Sequence, residues 1–459
     1  MEEKNKKLVY DIKLSSVAPG KITGENKLYN LKGIDLAMKL HYIKALYFFT
    51  NPNYNNIING SNSFISILEL KKPMFDWLIA YFMVCGRVRS SFTEDRPTIK
   101  LNDAGIRIVE AKSDKTVEEW LAMEGYICNF QDQLVCEDDN GGLGPDLPFS
   151  PLVWLQVTWF KCGGISVGLS WAHILGDAFS ASEFMNMLGQ YMQGSPGQSL
   201  TSHHQQPKII CLQDPPQPEY PPPNTTREPV SVKRVNPVGS HWVIPSTNCK
   251  IGTFTFNLSP KQVDQLHSRV HGSKMNDNNS TSPCFEVITT IMWKSIAKIR
   301  KDLDTNVVTI CRPRTTKRHK IVPYNGQVIG TVEVTFSVSS ADPMELIQLV
   351  VENVVDESDM VEELVNKEMG KHDFVVYGAN LTFVDMEEAN VYGFEIKGRR
   401  PRFASYTIGG IGDKGVIVLL PGPKNGIDGG NGNKLIMTFL PEDEIELLKS
   451  ELKEEWCIG

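Results

Sequence analysis

Apolar residues recur at two different spacings along this chain, and the changes between them mark its elements. Leu31, Ile34, Leu36, Leu40 and Ile43 stand near helical intervals and predict an amphipathic helix over 31–50. A second helix is predicted over 64–85, where Pro73 falls early enough to start it afresh or kink it. Two continuous apolar runs follow, 152–160 and 165–174, separated by Lys161-Cys162-Gly163-Gly164. They read as a buried strand, a tight turn and a second strand. Phe179, Phe184, Met187, Leu188 and Tyr191 then form one stripe of a helix over 178–192.

From about 194 to 250 the pattern stops. Pro207, Pro215, Pro216, Pro218 and Pro221-Pro222-Pro223 dominate, and such a stretch fills neither sheet nor helix interiors. Beyond it, Ser259-Pro260-Lys261-Gln262 is a capping box with proline at the first helical position, and Ser282-Pro283 opens another helix. Strands are predicted at 307–311, 330–338, 379–384, 403–409, 415–420 and 434–439, with a long helix over 342–369. Pro441 with Glu442, Asp443 and Glu444 starts a last helix, its acids placed to suit the helix dipole. Helices and strands intermixed on both sides of one crossover predict two α/β domains, 1–195 and 251–459, joined through 196–250.

Size agrees, since 459 residues exceed one hydrophobic core and suit two domains of roughly 200 residues. A net charge of −7 gives no electrostatic basis for bulk nucleic-acid binding. None of the nine cysteines stands in C-x-x-C spacing, so no zinc or redox site is expected. The start, Met1 to Lys7, leads into no apolar core of a signal peptide, and the longest apolar stretch, Trp77 to Cys85, is too short to span a bilayer. A cytosolic protein without a transmembrane segment is expected.

Three motifs bear on chemistry. Gly410-Ile411-Gly412-Asp413-Lys414-Gly415 spells G-x-G-x-x-G, but a dinucleotide fingerprint opens a helix and this one feeds a strand, so a hairpin turn is expected. Gly164-Ile165-Ser166-Val167-Gly168 spells a hydrolase nucleophile elbow, yet Ser166 lies inside a strand-like run. His173-Ile174-Leu175-Gly176-Asp177 is short, but it ends a buried strand and precedes a helix, where α/β sites form. An imidazole there can act as general base, taking the proton of a hydroxyl or amine that attacks a thioester carbonyl. Asp177 is expected to fix the local loop, with an arginine as partner, rather than join the proton transfer.

Around that pair the sequence resembles the plant BAHD acyltransferases. Ser15–Pro19, Leu31–Asp35, Gly86-Arg87, Gln156-Val157-Thr158, Phe160–Gly164, His173–Asp177 and Ser282–Trp293 follow that family's order. The resemblance implies two chloramphenicol-acetyltransferase-like domains, each a mixed β-sheet with flanking helices, joined by a long crossover loop. A channel between them would hold acyl-CoA, with His173 in the middle. The second family motif, Asp-Phe-Gly-Trp-Gly, is degenerate here as Glu395–Pro401. An intact first motif with a broken second one, together with Leu169–Asp177 and Tyr377–Phe383, is similar to the eceriferum/glossy branch. That resemblance implies a role in cuticular wax synthesis. The partner would be the 3-ketoacyl-CoA synthase, the condensing enzyme of the fatty-acid elongase, at the cytosolic face of the endoplasmic reticulum. The alternative is a working O- or N-acyltransferase using His173. Either way, a monomer with acyl-CoA as substrate or ligand, and no permanent cofactor or metal, is expected.

Two basic stretches complete the candidates. Arg312 and Arg314, with Lys317, Arg318, His319 and Lys320, could meet coenzyme A phosphates or an anionic membrane face. Arg399, Arg400 and Arg402 flank the broken motif and could supply an ion-pair partner for Asp177 or another acid.

Overall fold

Two large sheets take up the apolar strands. The computed structural model describes residues 7–24, 27–51, 64–89, 96–123, 131–136, 149–194, 227–236, 238, 242, 249–271, 283–314, 324–370, 372–423 and 432–458. The first sheet runs in the order Tyr10–Val17, Ile106–Ser113, Val153–Phe160, Ile165–Ala172, Tyr42–Phe49 and Phe403–Gly409. The second runs Ile251–Leu258, Lys434–Pro441, Val416–Pro421, Leu381–Asp385, Val307–Pro313, Gln327–Glu333 and Val355–Asp356. Both are mixed, and helices pack against them, as the family resemblance implies.

The helix expected over 31–50 is the main correction. Only Gly33–Ala37 is helical, and Tyr42–Phe49 is a strand between Ile165–Ala172 and Phe403–Gly409. Almost every residue of that strand is buried, so its apolar run carries no alternation to betray it. Gly33 is required where it stands, because a Cβ there would lie 2.4 Å from the Glu362 carbonyl of the helix Ser358–Lys367.

The expected helix over 64–85 is Ile67–Ala80, started by a Ser66/Glu69 capping box and carrying Pro73 inside it, followed by one tight turn at Phe82–Cys85. The strand–turn–strand and the helix Ala178–Met192 stand where periodicity put them. The capping box at Ser259 also holds, with the Ser259 amide donating to Gln262 Oε1 at 2.9 Å. The long helix over 342–369 is two, Pro343–Glu352 and Ser358–Lys367, separated by the edge strand Val355–Asp356. The strand placed at 330–338 is Gln327–Glu333.

Gly410–Gly415 is not a hairpin turn. Phe403–Gly409 lies in the first sheet and Val416–Pro421 in the second, so the glycine run carries the chain between them. Gly410 and Gly415 have φ of 72° and 87°, and Gly410 packs its backbone on the Leu40 carbonyl. The first sheet therefore takes a strand from well beyond the crossover. Much of that crossover, including Pro207 to Pro223, lies outside the described residues, but Lys233–Val235 pairs with Asp373–Val375. Lys39 pins this region to the first half: its ammonium is 2.5 Å from Asp373, both side chains being buried. Among the described residues, no helix is long and apolar enough to cross a membrane.

Candidate functional site

The strand Ile165–Ala172 delivers its chain end to the seam between the sheets. One tight turn, His173–Leu175, follows, then Gly176 at φ 156°, then the helix Ala178–Met192 with Asp177 as N-cap. Gly176 has no room for a side chain, since a Cβ would lie 2.8 Å from both Ser180 Cβ and the Tyr324 nitrogen.

Asp177 is a staple across the seam. One carboxylate oxygen accepts from the Ser180 amide at 3.0 Å, the N-cap bond, and the other from the Gly326 amide at 2.9 Å. The Ser180 hydroxyl donates to the Tyr324 carbonyl beside it, at 2.9 Å. Burial raises the carboxyl's pKa, and the amides around it oppose that shift. The arginine expected on Asp177 is not there. Arg400 pairs with Glu395 at 2.9 Å and Arg402 lies 3.8 Å from Glu118, so backbone donors replace the guanidinium.

His173 is fully buried. Its Nε2 lies 2.9 Å from the hydroxyl of Tyr377, which in turn accepts from the Gln327 side-chain amide at 2.6 Å. With Gln327 donating, the phenolic hydrogen is available to His173 Nε2 in the tautomer that carries its proton on Nδ1. Burial pushes the imidazole pKa down to about 4 and raises that of Tyr377 far above its ordinary value. In that tautomer a neutral imidazole has its Nε2 lone pair occupied by a donor that keeps its proton.

Further polar groups close the cluster. Asn325 Nδ2 donates to the His173 carbonyl at 3.0 Å and to Asp35 at 2.9 Å. Desolvation pushes Asp35 up to about 6. His41 accepts from the Val376 amide at 3.0 Å, packs edge-on to Tyr377 with centroids 4.9 Å apart, and is held near 3 by burial. Sequence reasoning singled out none of these five side chains. Tyr377 figured only as the start of the branch-like stretch Tyr377–Phe383. Asp35 figured only as the end of the family-like stretch Leu31–Asp35, and His41 and Gln327 were not singled out, because their partners stand far away in sequence.

The other candidates lie elsewhere. Arg312 is ion-paired with the buried Glu286 at 2.8 Å and lies over Phe285, so it is committed to structure. Arg314, 44% exposed, reaches Asp356 only at 3.6 Å. Lys317, Arg318, His319 and Lys320 lie outside the described residues. Ser166 is buried within its strand, as expected of a false elbow. The degenerate second motif makes a tight turn: Ile396 and Arg399 exchange backbone hydrogen bonds across Lys397 and Gly398, both at positive φ. Lys397 pairs with Glu69 at 2.8 Å, and Phe394 is buried against Tyr47 and Phe49. The motif has become a packing element.

Comparison with known proteins decides the family, since the Transferase family profile matches residues 9–454. The chain belongs to the Transferase family, the BAHD acyltransferases. Within the BAHD family it falls in the eceriferum branch. It is 35% identical over 451 residues to Protein ECERIFERUM 2 of Arabidopsis thaliana, covering 97% of this chain and 98% of that one. It is also 35% identical over 458 residues to Protein ECERIFERUM 26-like of the same plant, covering 99% and 97%. The BAHD fold extends to F. graminearum TRI101, solved with coenzyme A and deoxynivalenol, at a TM-score of 0.66 and 14% identity over 94% of this chain and 98% of that one. The expected two-domain α/β architecture holds.

Proposed function

We propose that this chain serves cuticular wax biosynthesis as an accessory to very-long-chain acyl elongation. It would act with the 3-ketoacyl-CoA synthase at the cytosolic face of the endoplasmic reticulum, and engage acyl-CoA without transferring the acyl group. One observation carries the non-catalytic part: Tyr377 occupies His173 Nε2 at 2.9 Å inside a fully buried cluster. A general base must reach the proton that it removes, and here a hydrogen-bonded phenol stands in that place. The similarity to eceriferum proteins along almost the whole chain supports the pathway. Of the two arginines proposed for coenzyme A phosphates, Arg314 keeps that role, being half exposed and weakly paired; Arg312 loses it to Glu286.

The test is to co-express the chain with the condensing enzyme in host cells and measure acyl chain length. Wild type and His173→Asn are expected to lengthen the products equally. Loss of lengthening in a folded His173→Asn protein would instead assign His173 the role of base in an acyl transfer.

A further inference from the structure

Among the described residues, the three most exposed large apolar side chains are Ile22, Leu68 and Phe149, at 84%, 75% and 73%. They come from three separate segments, yet a web of short bonds ties those segments to one corner of the first sheet. The Gly20 amide donates to the Phe75 carbonyl at 2.9 Å, which seats the loop before Ile22 on the helix Ile67–Ala80. Thr23 then bonds Asp103 through its amide at 2.8 Å. Next to Asp103, the Ala104 and Gly105 carbonyls accept from Arg87, whose Nε donates to the Phe149 carbonyl at 3.2 Å. Leu68, Lys72 and Phe75 share the solvent face of their helix, and Phe75 is itself 47% exposed.

The charge of this corner differs from that of the chain. Lys21, Lys27 and Lys72 are exposed among the apolar side chains, and Lys27 reaches the Thr23 carbonyl at 2.8 Å. Of the acids nearby among the described residues, Glu69 is paired with Lys397, Asp103 accepts from Thr23 and keeps its charge, and Asp76 stands on the exposed helix face. Among the described residues, three exposed lysines stand there against Asp76 and Asp103, on a protein of net charge −7. Ile22 follows Lys21 in the chain, and Lys72 lies between Leu68 and Phe75 on one helix face, so lysines accompany these apolar groups. Exposed apolar side chains accompanied by lysines match a bilayer surface, where the apolar groups enter the acyl boundary and the ammonium groups meet anionic headgroups.

We propose that this corner, built from Ile22, Leu68, Phe75 and Phe149 with Lys21, Lys27 and Lys72, docks the protein on an anionic lipid membrane. The proposal deepens the reading of a membrane-face accessory and rests on it only for the choice of membrane; vesicle binding by the purified protein involves neither elongation nor the condensing enzyme. The experiment is co-sedimentation of the full chain with vesicles of phosphatidylcholine and phosphatidylserine, and with vesicles of phosphatidylcholine alone. Wild type is expected to sediment with the mixed vesicles, less so at high salt. An Ile22→Asp/Phe149→Asp protein with unchanged thermal unfolding is expected to bind at least about tenfold more weakly, since each apolar anchor is lost. Lys21→Glu/Lys72→Glu is expected to lose the preference for phosphatidylserine. Wild type remaining in the supernatant, or the aspartate variant sedimenting like wild type, would overturn the proposal. So would loss of condensing-enzyme capture by the aspartate variant without any vesicle binding by wild type, which would make the corner a protein-docking face.

Discussion

The seam around His173 and the corner around Ile22 are opposites. At the seam, buried polar side chains bond one another and the backbone: Asp177 bonds two backbone amides, Tyr377 bonds Gln327 and His173, and Asn325 bonds Asp35 and the His173 carbonyl, while His173 Nδ1, His41 Nδ1 and Asn325 Oδ1 have no hydrogen-bond partner among the described residues. At the corner, apolar side chains stand in solvent with lysines among them. A buried hydrogen-bonded network that draws on both halves of the chain gives rigidity. Exposed apolar groups contribute nothing to the fold and become useful only when something covers them. Under the proposed accessory role, this acyltransferase scaffold uses its inherited site as a joint, and the proposed contact with a membrane lies on the outside.

That contrast can be broken by substitution. The largest effect is expected at Lys39, the buried cation that ties the first half to Asp373. Lys39→Met strands a buried carboxylate and should cost about 3–5 kcal/mol, read as a fall in the denaturant midpoint. Asp177→Ala removes an N-cap and leaves the Gly326 amide without its acceptor, for about 2–3 kcal/mol. Tyr377→Phe unpairs Gln327 Nε2 and His173 Nε2 together and should cost about 1–2 kcal/mol by the same measurement. If any of these were neutral, the seam would not be a joint.

The pH dependence sharpens the point. His173 is held near 4 against an ordinary 6.5, so below the ordinary value the unfolded chain binds this proton first. The histidine's contribution is complete above pH 6.5 and is lost as the pH falls toward 4. Asp35, raised to about 6 from 3.8, acts in the opposite sense: its contribution is present at acid pH and is lost as the pH rises to about 6. The comparison with His173→Asn isolates the imidazole, and wild type should lose stability relative to that variant across the window from 6.5 down to about 4. Smallest of all, Ser166→Ala and Ile22→Asp/Phe149→Asp should each shift stability by no more than about 0.5 kcal/mol. The first removes a buried hydroxyl without a hydrogen-bond partner and the second alters only exposed side chains.

Local chemistry in the sequence carried a good part of the fold. The helix Ala178–Met192, the paired strands before it and the capping box at Ser259 follow from periodicity and end signals within a few residues of one another. Tyr42–Phe49 did not, because a strand buried on both faces has the same apolar density as a buried helix. Nor did the transfer of Phe403–Gly409 into the first sheet, which depends on a partner strand more than 350 residues earlier. The candidate site divides in the same way. His173 and Asp177 were legible as a motif at a strand end, whereas Tyr377 and Gln327 reach the cluster from the second half of the chain. The partner of Asp177 was misjudged, since a backbone amide leaves no mark on residue identity.

The most direct test of the seam as a joint is thiol release. Purified protein would be given a very-long-chain acyl-CoA with alcohol or amine acceptors, and free coenzyme A would be followed over time. Release no faster than in buffer is the expected result, for wild type and for His173→Asn alike. Steady release by wild type that disappears in a folded His173→Asn protein would show that Tyr377 yields its place to substrate, and that the buried imidazole still works as a base.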